Sequence, residues 1–165
     1  MTVCALVLVG LTFGPLNAPA QTSAKQASMV GTWKMDLTKS SSGSEPAAKA
    51  VTLAILTDTP KSSSWRVEVV NAKGESNSFS WSGPVDGSLQ PVKGPKGDVL
   101  LQESLSRDKD GAVLRHGEAP DGSSFDGRAT LSADGNTITD VVTSKTKDGK
   151  TTKETHVYQR VTAAK

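Results

Sequence analysis

The sequence predicts an all-β protein, a single antiparallel up-and-down β-barrel of about 8–10 strands. Apolar and polar residues alternate with the period of a β-strand from Val30 onward. No segment of useful length has the period of an amphipathic helix. In the C-terminal half, Asp-Gly pairs recur about every dozen residues, which is the spacing of consecutive hairpins. A run of hairpins favours closure into a barrel, because closure removes exposed sheet edges.

The N-terminal half contains four predicted strands. In the first, Trp33, Met35 and Leu37 share one face, and polar side chains occupy the other. In the fourth, Phe79 and Trp81 share a face. The stretch that follows is rich in Gly and Pro and is predicted to be irregular. The four strands and the irregular stretch lie at 31–38, 50–57, 65–70, 76–82 and 83–98.

The C-terminal half contains five more predicted strands, joined by Asp-Gly turns. Gly has no Cβ to clash in the left-handed region of backbone space, and Asp tolerates that region. We therefore expect primed hairpin turns at these pairs. The strands are centred near Leu101, Leu114, Ala129, Val141 and Val157, and the turns are Asp110-Gly111, Asp121-Gly122, Asp134-Gly135 and Asp148-Gly149.

Residues 1–20 differ from the rest of the chain. They contain no charged side chain, are largely apolar, and end in Ala18-Pro19-Ala20, the pattern of a secretory signal peptide cleaved after Ala20. The apolar run is shorter than the about 20 residues that span a bilayer, so no integral membrane span is expected. The protein is predicted to be secreted or periplasmic and free of disulfides, because its single cysteine lies in this segment. A flexible leader at 21–29 and the barrel domain at 30–162 would follow.

Composition and motifs argue against several functions. The 19 Lys and Arg residues and 17 Asp and Glu residues give a net charge of +2 without a basic stripe, so no nucleic-acid partner is expected. His116 and His156 have no ligand-type partner at short spacing, so no metal site is expected. Neither a G-x-S-x-G elbow nor a phosphate-binding loop is present, so neither enzymatic activity nor a cofactor is predicted. A monomer is the default expectation.

The last strand carries a row of polar side chains. His156, Tyr158 and Arg160 share one face, and Val157 and Val161 lie on the other. If the polar face points inward, it could orient a polar or anionic headgroup inside the barrel. If the valine face points inward, the polar row is solvated. The residue types leave both orientations open.

The first and last strands carry two recognisable segments, Gly31-Thr32-Trp33-Lys34 and Tyr158-Gln159-Arg160. Together they resemble the calycin superfamily of lipocalins and fatty-acid-binding proteins. The resemblance implies a closed barrel that binds a small apolar ligand inside. In fatty-acid-binding proteins, an Arg and a Tyr two residues apart on the closing strand hold the ligand carboxylate. Tyr158 matches that Tyr, whereas His156 stands where the family has Arg, and a histidine side chain in general is only partly charged near neutral pH.

The lipocalin resemblance also implies a structural signature formed by Gly31, Trp33 and Arg160. In lipocalins the opening Trp packs at the closed end of the barrel, and an Arg from the far end of the chain stacks on it. Such a cation–π contact is worth about 0.5–2 kcal/mol and would give Arg160 a structural role. A closer similarity is to small secreted bacterial proteins that are described as lipocalin-like and lack an assigned function. The stretches that carry it are 31–37, 81–87, 131–137 and 157–158.

These observations favour a binding protein for a small hydrophobic or amphipathic ligand. His156 and Tyr158 would be its polar contacts, and Trp65, Phe79 and Trp81 would belong to the wall. The alternative is a non-catalytic envelope or extracellular interaction module with a filled barrel, and an enzyme with acid–base groups on separate strands is less favoured. A binder requires an interior volume of about 300–1,000 Å³, whereas a filled module requires an exposed apolar patch instead.

Overall fold

The structure is a computed structural model that describes residues 28–41 and 48–162. The predicted signal peptide at 1–20 lies outside these residues, as does most of the predicted leader at 21–29. No helix in the described residues is long and apolar enough to cross a membrane.

Ten antiparallel strands in the described part of the chain form one closed barrel. They are β1 (Gly31–Met35), β2 (Ala50–Asp58), β3 (Ser62–Val70), β4 (Ser76–Pro84), β5 (Gln90–Lys93), β6 (Val99–Arg107), β7 (Val113–Glu118), β8 (Ser124–Leu131), β9 (Thr137–Lys145) and β10 (Thr151–Arg160). Each strand pairs with its neighbours in sequence, and β1 closes the barrel by pairing with both β2 and β10. The predicted all-β, up-and-down barrel is confirmed.

Strand β5 lies inside the stretch that was predicted to be irregular. It has four residues, and Pro91 removes one backbone donor from it. Val92 nevertheless points inward and is buried. The strand pairs with β6 along its length, but its register with β4 is limited to Ser80 opposite Lys93. A strand this short, with a Pro inside it, has too few alternating positions to be recognised from sequence.

The hairpins turn through longer loops than the primed two-residue turns expected from the sequence. At Asp110-Gly111, the N–H of Gly111 donates to the carbonyl of Asp108 (3.0 Å), and the N–H of Asp108 donates to the carbonyl of Ala112 (3.0 Å). Gly111 has φ of 82°, and no non-glycine residue among those described has positive φ, whereas a type I′ turn needs it at both central residues. The geometry is a type I turn followed by a left-handed Gly, so only the Gly needs that backbone region. The same hydrogen-bond pattern recurs at Gly74, Gly97, Gly122 and Gly149.

A fully buried tryptophan lies at the end of the barrel where β1 begins, which we call the closed end. Trp33 has no exposed surface there, and its indole N–H donates to the carbonyl of Met29 (2.9 Å). Met29 was expected in the flexible leader, but it is only 5% exposed and its N–H donates to Asp58 Oδ2 (2.9 Å). The packing of the barrel therefore includes the last residue of the predicted leader.

Candidate functional site: the barrel interior

The barrel encloses a cavity of about 620 Å³ whose wall is mostly apolar. Near the closed end, Leu105 and Ile138 line it and are almost fully buried. Leu37, which follows β1 at the opposite end, also lines the cavity and is 41% exposed. The cavity therefore extends from the closed end toward solvent at the other, which we call the open end.

Four of the five predicted ligand contacts line this cavity. They are Trp65, Phe79, His156 and Tyr158. The fifth, Trp81, is not among the lining residues. Trp81 is 2% exposed, lies opposite Trp65 in the β3–β4 register, and donates its indole N–H to the carbonyl of Glu103 (2.9 Å). Its surroundings are those of a packed core residue.

The polar face of β10 points into the barrel, which selects one of the two orientations that the sequence left open. Tyr158 is 8% exposed and lines the cavity together with His156. His156 Nε2 lies 3.3 Å from Glu154 Oε2, two residues earlier on the same face. Arg160, the third member of the row, lies at the closed end, where its guanidinium carbon is 4.1 Å from the centroid of the Trp33 ring.

A buried ion cluster in the cavity wall was missed at the sequence level. Arg115 on β7 donates from Nε to Glu103 Oε1 (2.7 Å) and from Nη1 to Asp140 Oδ2 (2.6 Å). The two carboxylate side chains are only 2% and 5% exposed. Strand alternation could have placed Glu103 inward, since Leu101 and Leu105 flank it on the same face. Its pairing across strands depends on register, which the sequence does not specify.

The charges of this cluster act on one another at close range. Burial alone would lower the pKa of Arg115, but the Glu103 and Asp140 carboxylates raise it above its ordinary value, so the guanidinium stays charged. Burial raises the pKa of Tyr158 to about 12, with the Arg115 charge opposing that shift and the Asp140 charge adding to it. The second oxygen of Asp140, Oδ1, is buried and accepts no hydrogen bond from the described residues.

Two glycines lie beside these groups, and one of them makes room for an aromatic ring. A Cβ on Gly117 would lie 2.1 Å from the Phe125 ring, so the ring lies directly over the β7 backbone. The Arg115 guanidinium is 5.3 Å from the same ring. A Cβ on Gly127 would lie 3.4 Å from Asp140 Oδ1 and 3.5 Å from Arg115 Cβ. The missing side chain of Gly117 thus allows Phe125 to pack against the wall beside Arg115, whereas at Gly127 a Cβ would make ordinary van der Waals contacts.

His116 lies on the outer face and forms a surface cluster distinct from the cavity. Its Nδ1 is 2.9 Å from Asp126 Oδ1, and its Nε2 is 3.2 Å from Glu118 Oε1. Both hydrogen bonds raise the pKa of His116 above 6.5, and the one to Asp126 has the larger effect. The cluster therefore contributes most to stability below pH 6.5, and this contribution is lost as the pH rises through the raised pKa.

We expect Asp126→Asn to lower the His116 pKa toward its ordinary value, measured by NMR titration of the imidazole. The side chain is 41% exposed, so the accompanying loss of stability at low pH should stay below about 1 kcal/mol. Asp121→Asn, an exposed change on the neighbouring turn, is the control and should leave the His116 titration unchanged. An unaltered His116 pKa in Asp126→Asn would contradict the assigned pairing.

The closed ten-strand barrel with its internal cavity defines a calycin-like, lipocalin-like fold. No protein-family model and no curated protein matches the sequence. Among solved structures, a mutant of the fluorescent protein UnaG is similar at a TM-score of 0.52 and 14% identity, covering 81% of this chain and 96% of that one. A de novo designed fluorescence-activating β-barrel has a TM-score of 0.44 at 14% identity, covering 80% of this chain and 93% of the design. At 14% identity, the likeness to the UnaG mutant concerns the fold alone.

Proposed function

We propose that the protein is an exported binding protein that holds a small hydrophobic or amphipathic molecule inside its barrel. Trp65 and Phe79 form part of the apolar wall around the ligand, and His156 and Tyr158 supply polar contacts. Trp81 supports the wall from within the core. Export rests on the signal-peptide pattern of residues 1–20.

The observation that carries this proposal is the cavity itself. Its volume of about 620 Å³ lies within the range typical of small-molecule sites, and a mostly apolar wall with a few polar groups is their usual composition. A barrel of this size that serves only as a structural module can fill its interior with side chains. An enclosed volume of this size instead favours a binder over the filled interaction module.

Native mass spectrometry tests both parts of the proposal. The full chain is expressed in a bacterial host, recovered from the envelope without detergent, and measured intact. We expect the mass of a mature chain that begins at Gln21, together with the additional mass of a bound ligand. Organic extraction should remove that additional mass. An apo mass that takes up nothing from a lipid extract would contradict the binding role, and an uncleaved chain retained in the cytoplasm would contradict export.

A matched pair of variants on β3 tests whether the ligand binds inside the barrel. Val67 lines the cavity, whereas Glu68, the next residue, is exposed on the outer face. We expect Val67→Trp to weaken binding of the neutral dye Nile red by at least about tenfold, or 1.4 kcal/mol, because the indole would occupy the cavity. Glu68→Trp should leave the affinity unchanged. Equal affinities in the two variants would show that the dye binds outside the barrel.

A further inference from the structure

Carboxylates outnumber guanidinium groups in the cavity wall. Among the described residues, a single guanidinium, that of Arg115, lines the cavity. A second, Arg107, forms an ion pair with the wall residue Asp58. The carboxylates that line the cavity are Asp58, Glu103, Asp140 and Glu154.

Arg115 already holds two anions and is poorly placed to bind a third. Its Nε and Nη1 groups donate to Glu103 and Asp140 at 2.7 and 2.6 Å. An incoming carboxylate would have to displace one of these partners or join them around a single positive charge. In a water-poor interior, that excess of negative charge opposes binding of an anion and favours binding of a cation.

The same cluster contains an acceptor that receives no hydrogen bond within the described part of the chain. Asp140 lines the cavity, its side chain is 5% exposed, and its Oδ1 accepts no hydrogen bond from the described residues. A buried carboxylate oxygen without a donor is destabilising. The Tyr158 hydroxyl lies in the same wall and keeps its proton at neutral pH. Oδ1 itself is covered by the wall, so the Asp140 carboxylate acts on the cavity mainly through its negative charge, which favours a ligand group that carries positive charge or donates a hydrogen bond.

We infer that the cavity selects amphipathic molecules whose polar group is a hydrogen-bond donor, and that it prefers a protonated amine to a carboxylate. This inference rests on the proposed binding function and specifies the class of ligand for the same cavity. Asp140 supplies negative charge to the part of the wall that faces the donor group, and the apolar wall, including Trp65 and Phe79, surrounds the tail. The row His156–Tyr158 then contacts the polar part of the ligand without acting as a carboxylate clamp.

Three ligands with one tail and different headgroups test this preference on the unmodified exported chain. Dodecylamine, dodecanol and dodecanoic acid are titrated below their aggregation limits at neutral pH against the protein loaded with Nile red. We expect the amine to displace the dye at a concentration at least about tenfold lower than the acid, with the alcohol between them. Equal potency of amine and acid, or tighter binding of the acid, would overturn the inference while leaving the binding function intact. Failure of Nile red and all three ligands to bind would overturn both.

An isosteric substitution then assigns the preference to one side chain. Asp140→Asn removes the negative charge and should reduce the amine-to-acid preference by about tenfold, with dodecanol binding little changed. Asp148→Asn is the same chemical change on the exposed β9–β10 turn and should preserve the preference. A preference retained in Asp140→Asn would overturn the role of Asp140. Because the ranking of ligands on the unmodified chain is measured first, the inference stays testable even if this variant does not fold.

Discussion

Replacing Arg115 with methionine is expected to lower the free energy of unfolding by about 3–5 kcal/mol, because removing one partner of a buried ion pair leaves an uncompensated buried charge. Here the loss is shared by two carboxylates, Glu103 and Asp140, each of which receives a hydrogen bond from the guanidinium. Methionine keeps much of the aliphatic length of the side chain, so lost charge pairing dominates over lost packing. Urea denaturation at neutral pH measures the change.

The matched control for Arg115→Met is Arg66→Met on the outer face of β3. Arg66 is exposed, and a surface substitution away from special contacts changes stability by about 0.5 kcal/mol or less. A combined variant, Glu103→Leu with Arg115→Met and Asp140→Leu, should be more stable than Arg115→Met alone, since whole buried ion clusters are often replaceable by apolar side chains. A loss below about 1 kcal/mol in Arg115→Met would show that the cluster is solvated through the cavity and only weakly coupled.

Strand alternation predicted most of the barrel, because a period of two survives wherever one face of a strand is buried. It failed at β5, where Pro91 and a length of four residues leave too little pattern to recognise. The turns were located correctly but assigned the wrong type, since the sequence reveals a Gly with left-handed backbone but does not reveal the loop length around it. Gly111 illustrates this, because its turn begins at Asp108.

The polar part of the cavity wall was predictable only in part. His156 and Tyr158 lie on the last strand, whose segment resembles a known pattern, so the sequence could single them out. Glu103 and Asp140 belong to strands without such a segment. Each can be recognised as part of a buried ion cluster only from its contact with Arg115. That proximity depends on the β6–β7, β7–β8 and β8–β9 registers. The ligand preference inferred above therefore follows from strand pairing and could not be obtained from residue types.

The second large effect is expected at the closed end, where Trp33→Ala should destabilise the protein by about 3–5 kcal/mol. Trp33 has no exposed surface, so its removal leaves a large void, and the carbonyl of Met29 loses the indole donor. The Arg160 guanidinium, 4.1 Å from the ring, loses its stacking partner. Thermal or urea unfolding measures the loss, and Trp65→Ala on the cavity wall is the comparison. Because Trp65 is less buried and already borders an open volume, its truncation should cost less.

A double-mutant cycle with Arg160→Met separates the stacking from the burial. Arg160 also donates to the carbonyls of Gly135 (2.8 Å), Val30 (2.7 Å) and Ser28 (3.0 Å), so it joins the last strand to the β8–β9 turn and to the segment before β1. The coupling energy between Trp33 and Arg160 should be about 0.5–2 kcal/mol, because removing either residue ends the cation–π contact. A coupling near zero would mean that Arg160 stabilises the closed end through its backbone hydrogen bonds alone. In either case, we expect Arg160→Met to bind Nile red with unaltered affinity under conditions in which the variant is folded. Arg160 stabilises the closed end and does not contact the ligand.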